Sequence, residues 1–154
     1  INFGFSMSEI ALVITVSGIL ALFFQLFLFD AIVNKIGELG LIQLTFFASA
    51  IFIAVIAFTK SNLVVALSTF VVFLAFDLFR PAVTTYLSKH AGNRQGAING
   101  LNSAFTSFGN ILGPMAAGYM FDLNHLFPYY ISAIILLGTG FLSLFLNRKN
   151  FSKI

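Results

Sequence analysis

An acidic and a basic side chain lie close together in a long apolar segment. Between Ser61 and Ser88, Asp77 and Arg80 are the charged residues, and Pro81 follows immediately. Residues three positions apart share one face of a helix, so the two side chains can form an ion pair. Ionisable groups in membrane segments mark proton or substrate pathways, or else form a structural ion pair that fixes helix packing. We favour the pathway interpretation.

Asp77 is the candidate proton carrier, and Arg80 is its candidate gating partner. A neighbouring guanidinium favours the ionised carboxylate, whereas removal from water favours the protonated form. A movement that separates the two side chains would therefore change whether Asp77 holds a proton. Pro81 cannot donate a backbone hydrogen bond, so we expect a functional bend beside the pair, with an ordinary structural kink as the alternative.

A stripe of polar side chains follows on the next apolar segment. Asn102, Thr106 and Asn110 recur every four residues, so they lie on one face of a helix. Such a face avoids lipid, and it either hydrogen-bonds to neighbouring helices or lines a substrate cavity. Gly113 and Pro114 come next, and we expect the helix to bend there.

Aromatic and amide side chains complete the candidate binding set. Phe73 precedes Asp77 by four residues and shares its helix face, and Phe76 is its neighbour. Aromatic faces attract cationic ligands, although many phenylalanines in such a chain pack between helices or contact lipid. Gln25 lies at helical spacing from Ser17, which predicts that it points inward, to a cavity or to another helix. The candidate substrate-binding residues are Gln25, Phe73, Phe76, Asn102, Thr106 and Asn110.

The elements that carry these residues are long and apolar. Of the 154 residues, 59% are hydrophobic and 8% are charged, and the mean hydropathy is +1.00, outside the usual range of soluble domains. A bilayer core of about 30 Å is crossed by roughly 20 apolar residues, and lipid requires a helical backbone. Ser6 and Glu9 have capping-box spacing, which predicts the start of the first helix. We predict an all-α integral membrane fold with five spans, residues 8–29, 39–59, 62–87, 95–121 and 127–147.

The connections between these spans carry an uneven distribution of basic residues. One side collects six of them, whereas the opposite side holds Lys60. Cytoplasmic loops are enriched in Lys and Arg, so we predict a multi-pass protein of the cytoplasmic membrane with its C-terminus in the cytoplasm. Because the sequence begins at Ile1 and not at Met, we expect it to be part of a longer chain. The six basic residues are Lys35, Lys89, Arg94, Arg148, Lys149 and Lys153.

The sequence lacks the motifs for thiol chemistry, nucleotide binding and zinc binding. It contains no cysteine, which excludes disulfides, thiol catalysis and thiolate metal sites. Neither a phosphate-binding loop of the form G-x-x-x-x-G-K-[ST] nor an H-E-x-x-H zinc motif is present. We therefore expect no metal, no cofactor and no enzymatic activity. In so apolar a chain, the net charge of +3 does not indicate nucleic-acid binding.

The segment from Phe70 to Asp122 contains the motifs FD-x-x-RPA, RQG, GLNS-x-FTS-x-GN and GP. Together these motifs resemble the drug:proton antiporters of the major facilitator superfamily, which include quinolone and multidrug efflux pumps. The resemblance extends over nearly the whole chain. It implies the C-terminal part, about spans eight to twelve, of a twelve-helix fold.

The resemblance also implies roles for individual residues. Asp77 and Arg80 match a pair implicated in proton coupling and gating in such proteins. The expected function is proton-coupled export of hydrophobic or cationic drugs, with drugs, protons, the lipid bilayer and N-terminal helices of the same protein as partners. Two alternatives stay open: a metabolite or sugar transporter with the same fold, and a non-transporting membrane receptor or scaffold. The positions that match the drug pocket are Gln25, Phe73, Thr106 and Asn110.

Overall fold

Every described element of the protein is helical. The computed structural model describes the backbone of residues 6–151 and the side chains of residues 6–145, and it contains no strand within them. The predicted all-α fold is confirmed. The elements in chain order are α1 (Met7–Phe23), a π-helical turn (Phe24–Leu28), α2 (Phe29–Phe58), α3 (Asn62–His90), a 3₁₀ turn (Gly92–Arg94), α4 (Gln95–Leu123) and α5 (Phe127–Phe151).

Three helical stretches in the described part of the chain are long and apolar enough to cross a membrane. They are the continuous stretch Met7–Phe58, the helix α3 and the segment Phe127–Phe145. α4 has 29 residues and carries no charge before Asp122, but its glycine, asparagine and serine residues make it less apolar. The division of the chain into five spans stays a prediction.

α1 begins at the predicted capping box. The Ser6 hydroxyl accepts a hydrogen bond from the Glu9 backbone N–H at 3.2 Å, and the Ser6 N–H donates to the Glu9 carboxylate at 2.8 Å. These backbone groups have no helical partner in a first turn, so the two side chains stabilise the helix start. The predicted start of the first helix is confirmed.

The connection from α1 to α2 is helical, although the predicted spans left residues 30–38 between them as a connecting segment. The Phe29 N–H bonds to the Phe24 carbonyl, which closes the wider ring of a π turn. The helix then continues to Gly37, which leaves helical geometry with φ 73° and ψ 165°. Glycine is nearly alone in adopting this region, and no glycine or proline lies between Phe24 and Gly37. The helix therefore persists until the first residue that can break it.

α2 is the central helix of the bundle. It packs against α3 and α5, while α1 packs against α3. At the α2–α3 contact, Leu41, Ile42 and Ala82 have exposures of 1%, 7% and 0%. Phe46 and Phe79 lie beside them with ring centroids 5.0 Å apart. The small Ala82 side chain lets the two helices approach closely at this point.

The contact between α2 and α5 depends on a glycine. Gly140 is buried, and a Cβ on it would lie 3.1 Å from the nearest ring carbon of Phe47, closer than ordinary van der Waals contact. Nearby, the Gln43 side-chain amide donates a hydrogen bond to the Ser143 hydroxyl at 3.2 Å. This bond satisfies a buried polar group between two apolar helices.

The two ends of the bundle differ in charge. We call the end with Lys35, Lys89 and Arg94 the basic end, and the end with Lys60 the opposite end. At the basic end, Lys89 of α3 forms an ion pair with Glu38 of α2, outside the predicted spans. The Lys89 side chain is 61% exposed and the Glu38 side chain is 14% exposed. The hydrogen bond from Lys89 lowers the pKa of the Glu38 carboxyl.

α4 lies at the edge of the bundle. None of its 29 residues is buried, and it contacts α3 and α5 far less than α2 does. Its polar stripe is therefore uncovered over most of its length.

Candidate functional site

Polar side chains of α1, the π turn and α3 meet in one open cleft. The cleft has a volume of ≈ 740 Å³ and is bounded mainly by apolar residues of α1. Its polar members come from helices whose other residues are largely aliphatic or aromatic. We call it the polar cleft, and it is lined by Ile14, Thr15, Gly18, Ile19, Ala21, Leu22, Gln25, Asp77, Arg80, Pro81 and Thr84.

The helical period of α3 brings its polar residues to the cleft. Asp77, Arg80 and Thr84 are separated by three and four residues, so they project from the same side of the helix. Ala82 lies on the side that packs against α2. The Thr84 hydroxyl donates a hydrogen bond to the Arg80 carbonyl at 3.1 Å, so its own helix satisfies it. The charged pair is therefore turned away from the core and into the cleft.

Pro81 changes the backbone chemistry at the same point. Because proline has no N–H, the carbonyl of Asp77, four residues earlier, receives no helical hydrogen bond from it. α3 continues through Pro81, and α4 continues through Gly113 and Pro114, without a break in the helix. The bends expected at these three residues stay predictions.

Asp77 and Arg80 share the polar cleft without pairing. Asp77 is half-buried and Arg80 is exposed. Among the residues whose side chains are described, Lys89 and Glu38 form an ion pair, whereas Asp77 and Arg80 form none with each other. In this arrangement the Asp77 carboxylate has no ion-pair partner among the described side chains.

Gln25 reaches the cleft from the π turn. The turn holds five residues, Phe24–Leu28, and Gln25 is the second of them. On the preceding helix Ser17 and Ala21 are buried, as expected for the inward face of α1. π turns occur often at functional sites because the additional residue redirects a side chain. The turn thus places Gln25, an exposed residue, in the wall of the cleft that Asp77 and Arg80 also line.

Several predicted binding residues lie outside the polar cleft. Phe76 is exposed by 39%, and Asn102 is half-buried. Thr106 and Asn110 are exposed on α4, and the Thr106 hydroxyl donates to the Asn102 carbonyl at 2.8 Å. The structure does not bring the α4 stripe to Asp77, because α4 packs only against the edge of the bundle.

Two threonines of the polar cleft were not among the predicted residues. Thr84 follows Arg80 by four residues, and this spacing is a signal that could have identified it. Thr15 lies on α1 and donates its hydroxyl to the Ala11 carbonyl at 2.8 Å. Nothing in the sequence distinguishes Thr15 from a threonine that contacts lipid.

Phe73 lines a second cleft, at the opposite end of the bundle. This cleft has a volume of ≈ 700 Å³ and lies among α2, α3, α4 and α5. Phe73 is four residues from Asp77, about 6 Å along a helix axis, which is enough to place it in a different cleft. We call it the aromatic cleft, and it is lined by Ile53, Ile56, Val65, Thr69, Val72, Phe73, Ala117, Gly118, Phe121, Asp122, Pro128, Tyr129 and Ser132.

Similar proteins include three that are named for drug resistance. "Multidrug resistance protein 2" and "Multidrug resistance protein 1" of Bacillus subtilis (strain 168) are 44% and 42% identical to the chain over 97% and 88% of its length. "Quinolone resistance protein NorA" of Staphylococcus aureus is 39% identical over 84% of the chain. The chain spans 38%, 35% and 33% of the length of these relatives.

A family match covers the chain almost completely. The sequence profile of the Major Facilitator Superfamily matches residues 1–153. The helical architecture agrees with this match, and the resemblance inferred from the motifs is confirmed. The chain belongs to the Major Facilitator Superfamily.

Proposed function

We propose that the complete protein exports hydrophobic and cationic drugs across the cytoplasmic membrane in exchange for protons. It acts as a multi-pass transporter and not as an enzyme, with its C-terminus in the cytoplasm. The names of the similar proteins, which refer to multidrug and quinolone resistance, support this proposal. The observation that carries it is the polar cleft, where Asp77, Arg80 and Gln25 line one cavity in apolar helices.

Asp77 can couple drug export to proton entry because its carboxylate binds either a proton or a cationic drug. Protonation removes its negative charge, so a proton and a cationic drug bind it in turn and not together. Arg80 is close enough in sequence to pair with the carboxylate when neither ligand is bound. Moving one charge through a membrane potential of 100 mV supplies about 2.3 kcal/mol, which drives export against a modest gradient.

Substrate contacts extend beyond the polar cleft. Gln25 offers an amide donor and acceptor, and Phe73 and Phe76 offer aromatic faces to cationic ligands. The uncovered α4 stripe completes the site together with helices of the protein that lie outside this chain. Two observations support this assignment. The stripe is largely exposed, and the chain spans 38% or less of the length of its relatives. The α4 residues proposed to take part are Asn102, Thr106 and Asn110.

Replacement of Asp77 tests the proposal. In the complete protein, Asp77→Asn keeps the size of the side chain but cannot carry a proton at neutral pH. We expect proton-driven dye efflux from energised vesicles to fall by at least about tenfold, while membrane insertion is unchanged. Asp30→Asn, which removes the same charge at an exposed position outside both clefts, retains efflux.

Undiminished efflux by the Asp77→Asn protein contradicts the coupling role. The same vesicles distinguish the alternatives. Proton movement linked to a metabolite or sugar, without drug efflux, indicates a transporter of other substrates. A complete absence of substrate-linked proton movement indicates a receptor or scaffold, in which Asp77 and Arg80 have a structural role.

A further inference from the structure

The aromatic cleft contains a carboxylate that the proposed coupling mechanism does not use. Asp122 lines the cleft together with the rings of Phe73, Phe121 and Tyr129. The remaining walls of the cleft are mostly aliphatic, and its volume of ≈ 700 Å³ is within the range of sites that bind drug-sized molecules. The cleft thus combines flat apolar surfaces with one negative charge.

Asp122 is exposed to solvent, and no described side chain pairs with its carboxylate. Within the described side chains, no hydrogen bond or ion pair is recorded for Asp122. The residue lies in the last turn of α4, which ends at Leu123. The C-terminal end of a helix carries partial negative charge and therefore disfavours an acidic side chain. A bound cation would pair with the carboxylate and would offset its repulsion from the end of the helix.

The rings around Asp122 fit the same kind of ligand. Phe121 packs against His125 with ring centroids 4.6 Å apart, which holds one wall in place. Phe73 and Tyr129 come from different helices, so aromatic faces approach the cleft from more than one direction. A cation held over aromatic faces and next to a carboxylate is attracted by both.

The two clefts have no lining residue in common, but a smaller cleft between α1 and α3 shares Ile14 with the polar cleft and Phe73 with the aromatic cleft. Phe73 faces the aromatic cleft, and Asp77, one helical turn further on, faces the polar cleft. A ligand that leaves Asp77 towards the opposite end therefore meets Phe73 before it reaches Asp122. On the predicted orientation, this end faces the outside of the cell.

We propose that the aromatic cleft is a second binding site for a lipophilic aromatic cation, with Asp122 as its counter-ion. The site receives a drug cation on its way out, after Asp77 has released it. This role in export rests on the proposed function, whereas binding of the cation does not. An acyl chain or a helix from outside this chain would be a different occupant, and the experiments below distinguish the cation from both.

Equilibrium binding of tetraphenylphosphonium to the complete protein in detergent tests the site. The Asp77→Asn background removes the first carboxylate, and the part of the remaining binding that depends on position 122 reports the aromatic cleft. In that background, we expect Asp122→Asn to weaken binding by about tenfold, or ~1.4 kcal/mol, through the loss of one charge near the cation. Asp122→Glu keeps the affinity. Glu9→Gln, which removes a charge outside the cleft, also keeps it.

Two further measurements sharpen this test. Binding of neutral triphenylphosphine oxide should be the same with and without the Asp122 carboxylate. The chain has no cysteine, so Ser132→Cys places the chain's one thiol in the cleft wall, and any cysteine elsewhere in the complete protein is first replaced by serine. We expect a membrane-impermeant thiol reagent to label it from outside, and tetraphenylphosphonium to slow the labelling.

Unchanged cation affinity in Asp122→Asn overturns the inference, and so does an introduced thiol at position 132 that the reagent cannot reach. The second result would indicate that lipid or another helix fills the cleft. These failures differ from a failure of the proposed function. A protein that does not export drugs can still bind the cation at Asp122, and an active exporter can lack this second site.

Discussion

A hydrogen-bonded ion pair joins α2 to α3 at the basic end. Lys89 donates to Glu38 directly after the Gly37 break, so the pair holds the start of the second half of α2 against the end of α3. The Lys89 side chain is 61% exposed, and solvent screens most of its attraction to Glu38. We therefore expect a contribution of no more than about 1 kcal/mol to the free energy of unfolding.

The pH dependence of this contribution has a defined sign. The hydrogen bond from Lys89 lowers the pKa of Glu38 below its usual 4.5. The ion pair therefore stabilises the fold above pH 4.5, and this stabilisation is lost as the pH falls through the lowered pKa of Glu38. We predict that Glu38→Gln lowers the thermal unfolding midpoint of the complete protein at pH 7, and that the difference from the unsubstituted protein disappears in acid. A difference that persists below the pKa of Glu38 contradicts this assignment.

At the scale of residues, helical spacing predicted which side chains share a face but not which cavity they enter. The spacing of Asp77 and Arg80 correctly indicated a common side of α3. Phe73 is on the same face by spacing, but it lies about 6 Å further along the axis, where it lines the aromatic cleft and the smaller cleft beside α1 and not the polar cleft. Helical spacing gives the direction in which a side chain leaves the helix axis. It does not give the positions of the neighbouring helices, which determine the cleft that the side chain enters.

At the scale of elements, the α2–α5 contact depends on the absence of a side chain at Gly140. We predict that Gly140→Val forces its side chain against the Phe47 ring and destabilises the complete protein by about 1–3 kcal/mol. Thermal unfolding in detergent measures the effect. Gly138→Val is the matched control, because a Cβ there meets nothing within 4 Å and the helix propensity changes equally.

A second substitution identifies the contact responsible. Phe47→Leu in the Gly140→Val protein removes the ring that the valine meets, so part of the lost stability should return. Equal destabilisation by valine at positions 138 and 140 would show that helix propensity, and not the Phe47 contact, determines the effect.

The boundaries of the elements were partly predictable. The capping box at Ser6 and Glu9 correctly marks the start of α1. The charged residues of the segment 30–38 placed it between two predicted spans, and such charges are equally compatible with a loop and with a helix end that leaves the membrane core. Gly37 is where the backbone breaks, because its φ of 73° suits glycine. Composition showed the polarity of this segment and gave no information on its hydrogen bonding.

At the scale of the whole molecule, α4 has too few partners in this chain. None of its 29 residues is buried, while α2 is packed on two sides. We predict that, in the complete protein, amide hydrogen exchange over residues 102–117 is roughly tenfold slower or more than in the segment 1–154 alone, measured by mass spectrometry in the same detergent. Residues 41–57 of α2 are the internal control, because their partners lie within the chain.

Equal exchange rates over residues 102–117 in both proteins would contradict this prediction, since α4 would then remain uncovered. The arrangement of helices around α4 could not be derived from the sequence of this chain. The family gives the type of fold, but the chain accounts for 38% or less of the length of its relatives. The polar stripe therefore indicates that a partner is needed and does not identify it.

The π turn at Phe24–Leu28 also affects how the first 58 residues are compared with those of other proteins. One additional residue in a turn rotates everything after it by about 100° relative to an uninterrupted α-helix. A helical wheel drawn straight through this region would assign the wrong phase to one side of it. Alignments of relatives should accept a single-residue gap here, and the two helical registers should be analysed separately.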